Sequence, residues 1–181
     1  MPNYIRLIFA AALLGTTVVL FMYGHWGWGI LGIFLTLLVA ITFFFNENML
    51  AAQYFLRKEN MDKASQWLDK ITDYEKQLVS VQHGYYHLLI GMIESRKAPL
   101  KSEKFFKKAL ALGMTMDHNI ALAKLSLAGI AMAKSNKREA VMYLDEAKKA
   151  DKNKLLADQI KMMKNQLTQL DRTVQQTRSY R

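Results

Sequence analysis

Two histidines four positions apart are the residues of this sequence whose spacing could support metal chemistry. His83 and His87 stand in the segment HGYYH, and residues four apart share one face of an α-helix. Two imidazoles at this spacing can supply two of the ligands of a zinc site. However, the chain has no cysteine, and no Asp or Glu stands one helical turn from the pair. The alternative is that both histidines pack in a core or an interface.

The carboxylates and glycines do not form a catalytic pattern. Asp73 and Glu75 flank Tyr74 in a polar connection, and Asp145 and Glu146 lie on the polar face of a predicted helix. No glycine-rich loop that could cradle a phosphate is present. The sequence therefore predicts no catalytic, cofactor-binding or metal site, and it favours a binding protein over an enzyme.

The N-terminal part of the chain is strongly apolar. No Asp, Glu, Lys or Arg occurs from residue 7 to residue 45, and the segment YGHWGWG at 23–29 divides this region. The stretches 7–23 and 28–45 would each form a helix about 26 Å long, close to the thickness of about 30 Å of a bilayer core. Interfacial aromatic residues and glycines suit the turn between them. We therefore expect residues 1–45 to form a transmembrane helical hairpin.

Small residues spaced four apart indicate how the two helices of this hairpin would pack. Ala11 and Gly15 form such a pair in the first stretch, and Gly32 and Thr36 form one in the second. Small residues at this spacing allow helix backbones to approach closely. We expect these two pairs to face each other.

The cations predict the orientation of the hairpin. Arg6 precedes the first stretch, LRKENMDK follows the second, and the turn has no Lys or Arg. Because cations favour the cytoplasmic side, the sequence predicts an integral protein of the bacterial cytoplasmic membrane, with both termini and the remaining domain in the cytoplasm. The alternative is a cleaved signal peptide followed by a buried helix.

An internal repeat follows the apolar region. The segments DKASQWLDKI, LKSEKFFKKA and REAVMYLDEA align at a period of about 38 residues, within the range of about 20 to 50 that is typical of repeat proteins. The aligned columns are Ala64, Ser102 and Ala140; Trp67, Phe105 and Tyr143; Leu68, Phe106 and Leu144; and Ile71, Ala109 and Ala147. The same period aligns AAQYF, LIGMI and LAGIA upstream and places Gly91 on Gly129. Each period therefore contains two helices, and such units bury their apolar faces only by stacking.

The second helix of each period resembles that of the tetratricopeptide-repeat family, in which small, large and small residues recur at offsets of four and three. The matching triplets are Ala140, Leu144 and Ala147; Ser102, Phe106 and Ala109; and Ala64, Leu68 and Ile71. The period of about 38 residues exceeds that of the family, which is about 34. The resemblance covers residues 46–151 and implies an all-α fold in which about three helix pairs form an α-solenoid.

Residues 152–181 carry a different pattern. An apolar stripe with alternating spacings of four and three consists of Leu156, Ile160, Met163, Leu167, Leu170 and Val174. One interpretation is a helix that caps the last repeat, because terminal repeats need a polar outer face. The other is a coiled coil, through which the chain would form a homo-oligomer.

The function predicted from these features is a membrane-anchored adaptor that binds a protein partner, a subunit of a membrane complex, at the cytoplasmic face. The candidate groove residues are Tyr85, Leu88, Met92, Leu125 and Met132, and the alternative for them is plain core packing. The net charge of +10 suggests a second function, binding of anionic lipid or of ribosomal RNA. The absence of an aromatic and basic nucleic-acid motif argues against RNA.

Overall fold

The computed structural model describes residues 3–24, 26–44 and 46–179, with side-chain environments for 11–24, 26–38 and 46–169 of these. All regular structure in these residues is α-helical, as the sequence predicts. The ten helices of the described ranges are α1 Asn3–Met22, α2 Trp26–Phe44, α3 Glu47–Arg57, α4 Met61–Asp69, α5 Tyr74–Gln77, α6 Ser80–Lys97, α7 Pro99–Leu112, α8 Asp117–Ala133, α9 Lys137–Ala150 and α10 Ala157–Ser179.

The helices belong to two compact units. The first comprises Met1–Ala51 and the second Ala52–Arg181, so the boundary falls within α3. The start of α3 is fixed by Asn46, whose side-chain oxygen accepts a hydrogen bond of 2.9 Å from the backbone N–H of Asn48. This is the usual role of Asn at a helix N-cap.

Helices α1 and α2 pack together as a hairpin in the first unit. Thr17 of α1 lies against Gly32 of α2, where an added Cβ atom would lie 2.5 Å from the threonine Oγ1. One turn away on α2, a Cβ atom at Gly29 would lie 2.7 Å from the ring of Phe21. A side chain at either position of α2 would therefore require the facing side chain of α1 to move.

The four predicted packing residues occupy different environments. Gly32 and Thr36 lie on the half-buried side of α2, and the Thr36 hydroxyl donates to the Gly32 carbonyl oxygen at 2.8 Å. Ala11 and Gly15 are exposed, and nothing lies within 4 Å of the position of a Cβ atom at Gly15. On α1, Thr17 and Phe21 are the residues that lie against the glycines Gly32 and Gly29 of α2.

The predicted transmembrane hairpin is wrong. A span requires about 20 consecutive, predominantly apolar residues, and no helix in the described part of the chain has both the length and the apolar character to cross a membrane. The predicted spans at 7–23 and 28–45, and the integral-membrane localisation with cytoplasmic termini that was inferred from them, are corrected accordingly. Residues 25 and 45, and the side chains of 7–10 and 39–45, lie outside the description.

The period of the sequence repeat recurs in the helix boundaries of the second unit. Helices α4, α7 and α9 begin at Met61, Pro99 and Lys137, which are equally spaced at that period. Two of these helices are capped alike, since Asn60 accepts a hydrogen bond from the Lys63 N–H and Asn136 accepts one from the Glu139 N–H. Ala98 precedes α7 without a side-chain cap. There Pro99 at the first helical position leaves one fewer N–H to satisfy.

The turn before α4 and the turn before α9 have the same backbone geometry. Glu59 and Ser135 adopt left-handed φ angles of 56° and 57°. The N–H of Asn60 bonds to the Phe55 carbonyl at 2.9 Å, and that of Asn136 bonds to the Ala131 carbonyl at 2.8 Å. This is the Schellman motif, which satisfies the last carbonyl groups of a helix. The same helix–turn–helix joint therefore occurs twice, separated by two periods of the repeat.

Burial also follows the repeat columns. The small residues Ala64, Ser102 and Ala140 are all 0% exposed. The columns of Leu68, Phe106 and Leu144, and of Ile71, Ala109 and Ala147, are also buried, whereas the aromatic column of Trp67, Phe105 and Tyr143 is half-buried. Residues that align in one column of the sequence repeat therefore have similar burial in the structure.

Helices α6 and α7 form an antiparallel pair around two glycines. A Cβ atom at Gly84, near the start of α6, would collide with the carbonyl oxygen of Gly113, just after the end of α7. Further along α6, a Cβ atom at Gly91 would lie 2.9 Å from the ring of Phe106. The lack of side chains at these two positions allows the helices to pack closely.

Two cores hold the second unit together between α6 and α10. One joins α6, α7 and α8 and contains Leu88, Phe106, Ala109, Ala123, Leu127 and Ile130. The other joins α8, α9 and α10 and contains Ala121, Leu125, Ala128, Ala131, Ala140, Leu144, Ala147, Leu156, Ile160 and Leu167. Tyr143 packs against both. The described part of the α10 stripe is thus occupied within the chain, and the side chains of Leu170 and Val174 lie outside the description.

Candidate interaction site

The predicted histidine pair lies in a cluster of aromatic rings. Tyr74 of α5 stacks on Tyr86 of α6, with 5.6 Å between ring centroids. The same tyrosine ring meets His83 at 5.1 Å and His87 at 4.9 Å, each edge to face. Asp73 places this ring by capping α5, because its carboxylate accepts a hydrogen bond from the Lys76 N–H. The cluster packs the short helix α5 against α6.

His87 is the least solvated member of the cluster. Its side chain is 5% exposed, and neither ring nitrogen has a hydrogen-bond partner. Burial, together with repulsion from Lys108 and His83, lowers the pKa of His87 to about 4. The Lys108 ammonium lies over the Tyr74 ring, 5.0 Å from its centroid. The imidazole is therefore neutral at physiological pH.

The cluster does not have the composition of a metal site. A structural or catalytic zinc takes at least three protein ligands. Over the residues that the structure describes, no group of three or more His, Cys, Asp or Glu side chains comes together. His83 is half-buried, and its Nε2 lies 3.3 Å from the Leu78 carbonyl oxygen, within the protein. These contacts are those of packed core histidines.

The five predicted groove residues lie mostly within the two cores. Leu88 and Leu125 are buried core residues. Tyr85 and Met92 pack half-buried against the core of α6, α7 and α8, and Met132 packs half-buried against the core of α8, α9 and α10. Burial raises the pKa of the Tyr85 hydroxyl. The structure therefore does not bring the five together as an open groove.

A cavity of about 420 Å³ opens at the junction of α9 and α10. We call it the lysine cavity. Its eight lining residues are Lys148, Asp151, Lys154, Ala157, Ile160, Lys161, Lys164 and Asn165. Sequence reasoning missed this site, because the apolar stripe of residues 152–181 predicts a packed helix without showing which polar side chains of α9 and α10 come together. The run KKADKNK was the one available signal.

Asp151 shapes the wall of the lysine cavity. It is the residue that follows α9, it is 6% exposed, and its two carboxylate oxygens accept hydrogen bonds from the N–H groups of Leu155 at 3.0 Å and Leu156 at 2.8 Å. Leu156 is in turn buried in the core of α8, α9 and α10. These bonds hold the connection to α10 in one conformation, in which Lys154 has a left-handed φ of 55°.

One of the four cavity lysines is engaged in an ion pair. The Lys164 ammonium lies 2.6 Å from the Asp145 carboxylate on α9, and this contact holds the pKa of Asp145 below its usual value. Within the described residues, Lys148, Lys154 and Lys161 have no carboxylate within ion-pair distance. The cavity therefore combines three unpaired cations with an apolar floor formed by Ile160.

A second group of charges is satisfied internally. Glu103 of α7 contacts the ammonium groups of Lys107 at 2.7 Å and of Lys134 after α8, and these contacts hold the pKa of Glu103 below its usual value. Lys107 also lies 3.9 Å from Glu139 of α9. These charges connect neighbouring helices, and they are less available to an external ligand than those of the lysine cavity.

Comparisons with protein-family models, with curated proteins and with solved structures give no match for this chain. The identification of the chain as a tetratricopeptide-like protein with a transmembrane hairpin is therefore corrected in both parts. No described helix can span a membrane, and no family model supports the repeat resemblance. The described residues have an all-α fold.

Proposed function

We propose that this chain is a helical-repeat scaffold, a short α-solenoid that binds a protein partner. The observation that carries the proposal is the recurrence of helix starts at Met61, Pro99 and Lys137, with matching buried columns in the three helices. A unit of this type needs neighbours to bury its apolar face, and stacked units provide extended binding surfaces. We assign no catalytic role.

Exposed apolar side chains on the last two helices support a protein partner over a purely ionic one. Met142 on α9 and Met162 on α10 are 47% and 57% exposed, and Val141 on α9 and Leu155 in the connection between the two helices are exposed as well. Methionine is unbranched and polarizable, and it adapts to irregular apolar partners. Cations and exposed apolar side chains together on α9 and α10 suit a protein surface better than a lipid headgroup layer or an RNA backbone.

Site-specific photo-crosslinking in cells that produce the full chain would test this function. A benzophenone amino acid would replace Met142 or Met162 in separate variants. Replacement of the exposed Lys97 and Lys101, at the joint between α6 and α7, would provide matched controls. We expect a discrete protein adduct from the first two positions, with weaker or no adducts from the controls.

The composition of the adducts decides between the function classes. Crosslinks of Met142 and Met162 to the same protein, resistant to nuclease, would support the scaffold. Adducts to RNA that nuclease removes, adducts to lipid alone, or equal labelling at all four positions would contradict it. RNA binding would also weaken steeply as the salt concentration rises.

A further inference from the structure

The lysine cavity has the features of a recognition site for one type of peptide. We infer that it binds an acidic segment of the protein partner, with one large apolar side chain inserted between α9 and α10. This inference rests on the proposed function, and it adds the chemistry of the partner and the location of the contact.

The balance of charge around the cavity determines the sign of the charge that a ligand should carry. The ammonium groups of Lys148, Lys154 and Lys161 pair with no carboxylate in the described part of the chain, whereas Lys164 is neutralised by Asp145. Asp151 is the one acidic lining residue, and both of its oxygens already accept backbone N–H groups. Four lysines face two carboxylates, Asp151 in the lining and Asp145 beside Lys164, so the cavity retains an excess of positive charge that is complementary to an acidic ligand.

The floor of the cavity supplies the apolar part of the recognition. Ile160 is buried there, and Ala157 lies one turn earlier on α10. The aliphatic stems of the lysines extend this apolar surface while their ammonium groups remain in water. The volume of about 420 Å³ is within the range of about 300 to 1,000 Å³ typical of ligand pockets. One apolar side chain and part of its backbone therefore fit.

The lining favours a peptide over nucleic acid. None of the eight lining residues is aromatic or arginine, and single-stranded nucleic acids are bound largely by base stacking on aromatic rings together with cations. Lipid headgroups are bound by cations on an open surface, whereas these lysines surround a concave site. An acidic peptide with an apolar anchor uses both the charge and the cavity.

The site is also preorganised. Asp151 fixes the backbone at Leu155 and Leu156, and Leu156, Ile160 and Leu167 anchor α10 in the core. A ligand that enters this cavity does not have to order the connection between the helices, and so less entropy is lost on binding.

The test is a lysine-acylation footprint of the full chain, read by mass spectrometry. The probe is the synthetic peptide acetyl-Asp-Glu-Glu-Phe-Glu-Asp-amide, with a peptide that has Ser in place of Phe as control. We expect the Phe peptide to slow acylation of Lys148, Lys154 and Lys161 at least threefold, with Lys97 and Lys101 unaffected. The Ser peptide should protect markedly less.

Three variants separate charge from shape. Lys148→Glu combined with Lys161→Glu should abolish protection of Lys154, whereas the equally charged control Lys97→Glu combined with Lys101→Glu should preserve it. Ala157→Trp fills the apolar part without a change of charge, and it should reduce binding of the Phe peptide at least tenfold. Circular dichroism identifies any variant that loses its helical structure.

Several results would overturn the inference. These are the absence of protection at millimolar peptide, equal protection by the Ser peptide, and unchanged protection in the Lys148→Glu, Lys161→Glu variant. Stronger protection of the same lysines by oligouridine or by phosphatidylglycerol vesicles would assign the site to phosphate instead.

If the Met142 and Met162 crosslinks persist in the Lys148→Glu, Lys161→Glu variant, only the inference fails. If peptide protection occurs without any protein crosslinks, only the proposed function fails.

Discussion

The ring of Phe106 on α7 occupies the space that a side chain at Gly91 on α6 would need. A Cβ atom at Gly91 would lie 2.9 Å from the nearest ring carbon, and the ring is 1% exposed. The ring has no solvent-filled space into which it could move. This contact and the closer one between Gly84 and the Gly113 carbonyl oxygen both limit the distance between α6 and α7.

The first prediction compares Gly91 and Gly129, which occupy equivalent positions in successive periods of the repeat. We expect Gly91→Ala to lower the free energy of unfolding by about 1 to 3 kcal/mol, because the added methyl group overpacks the core. At Gly129 the nearest atom to a new Cβ would be the Met163 methyl carbon at 3.5 Å, an ordinary contact. Gly129→Ala should therefore be neutral or stabilise the helix by up to about 1 kcal/mol. Urea denaturation followed by circular dichroism measures both. Equal losses at the two positions would contradict the assigned packing.

The second prediction concerns the large residues of the two cores. Phe106→Ala should cost about 3 to 5 kcal/mol and Leu144→Ala about 2 to 5 kcal/mol, because each leaves a cavity in a closely packed core. Lys101→Ala, at an exposed position of α7, should change stability by no more than about 0.5 kcal/mol. The measurement is urea denaturation, from which the midpoint and the dependence of the unfolding free energy on urea concentration give the stability of each variant. If Lys101→Ala lowered the free energy of unfolding as much as the core substitutions, the assignment of buried and exposed positions on α7 would be wrong.

The third prediction concerns the two asparagine caps. Asn60→Ala and Asn136→Ala each remove an oxygen that accepts a backbone N–H at the start of a helix, and each should cost about 1 kcal/mol. Asn136→Ser retains an acceptor and should recover most of the loss. Because the two joints have the same geometry, the costs should be similar. A loss confined to one cap, measured by denaturation, would argue against their equivalence.

The fourth prediction is a pH dependence that arises from His87. The pKa of His87 is about 4 in the folded protein and about 6.5 in an unfolded chain. The unfolded state therefore binds the proton more readily, so the stability contributed by the neutral imidazole is present above about pH 6.5 and is lost as the pH falls towards 4. The loss approaches about 1.4 kcal/mol per pH unit. It is measured as the difference between the wild type and His87→Leu over this range.

Two further variants test the origin of that pH dependence. His87→Leu should be close to neutral at pH 7, because neither ring nitrogen has a partner to lose and an apolar replacement leaves no unsatisfied group. Lys108→Met removes a repulsive cation, so it should raise the pKa of His87. The decrease in the free energy of unfolding at acidic pH should then be smaller than in the wild type. Lys104→Met on the same helix is the control. If His87→Leu loses as much stability at acidic pH as the wild type does, His87 is not the source of the pH dependence.

The repeat columns were predictable because they depend on residue size at a fixed spacing. Ala64, Ser102 and Ala140 share a small volume, and burial follows from that volume wherever a neighbouring helix approaches closely. The face of the first helix in each pair was harder to assign. Leu88 and Leu125 were expected to line a groove, but both are in the cores. A phase error of one residue rotates a side chain by about 100°, which moves it from groove to core.

Other features depended on contacts between distant segments. The segment around Tyr74 was expected to be a linker, yet Asp73 caps a short helix there and the tyrosine ring packs on Tyr86 and His87. The lysine cavity forms where α10 packs against α9. The apolar stripe of residues 152–181 predicted this packing as one of two interpretations, but it did not indicate which lysines would surround a cavity. In the N-terminal unit, small residues alone did not identify the contact, because Thr17 rather than Gly15 lies against Gly32.

The repeated turn at Glu59–Asn60 and Ser135–Asn136 provides two equivalent positions at which the chain could be shortened or lengthened. The two turns have the same hydrogen bonds, and each has one residue with a left-handed φ angle at the same position. One turn can therefore replace the other as the connection to the next helix. A chain that passes from residue 60 directly to residue 137 would keep a native turn, and a chain with one additional copy of residues 61–136 would contain three such turns. Repeat stacks tolerate such changes because each unit contacts only its neighbours. If the helix pairs stack as in the proposed α-solenoid, the number of units can change by duplication or deletion without a new connection.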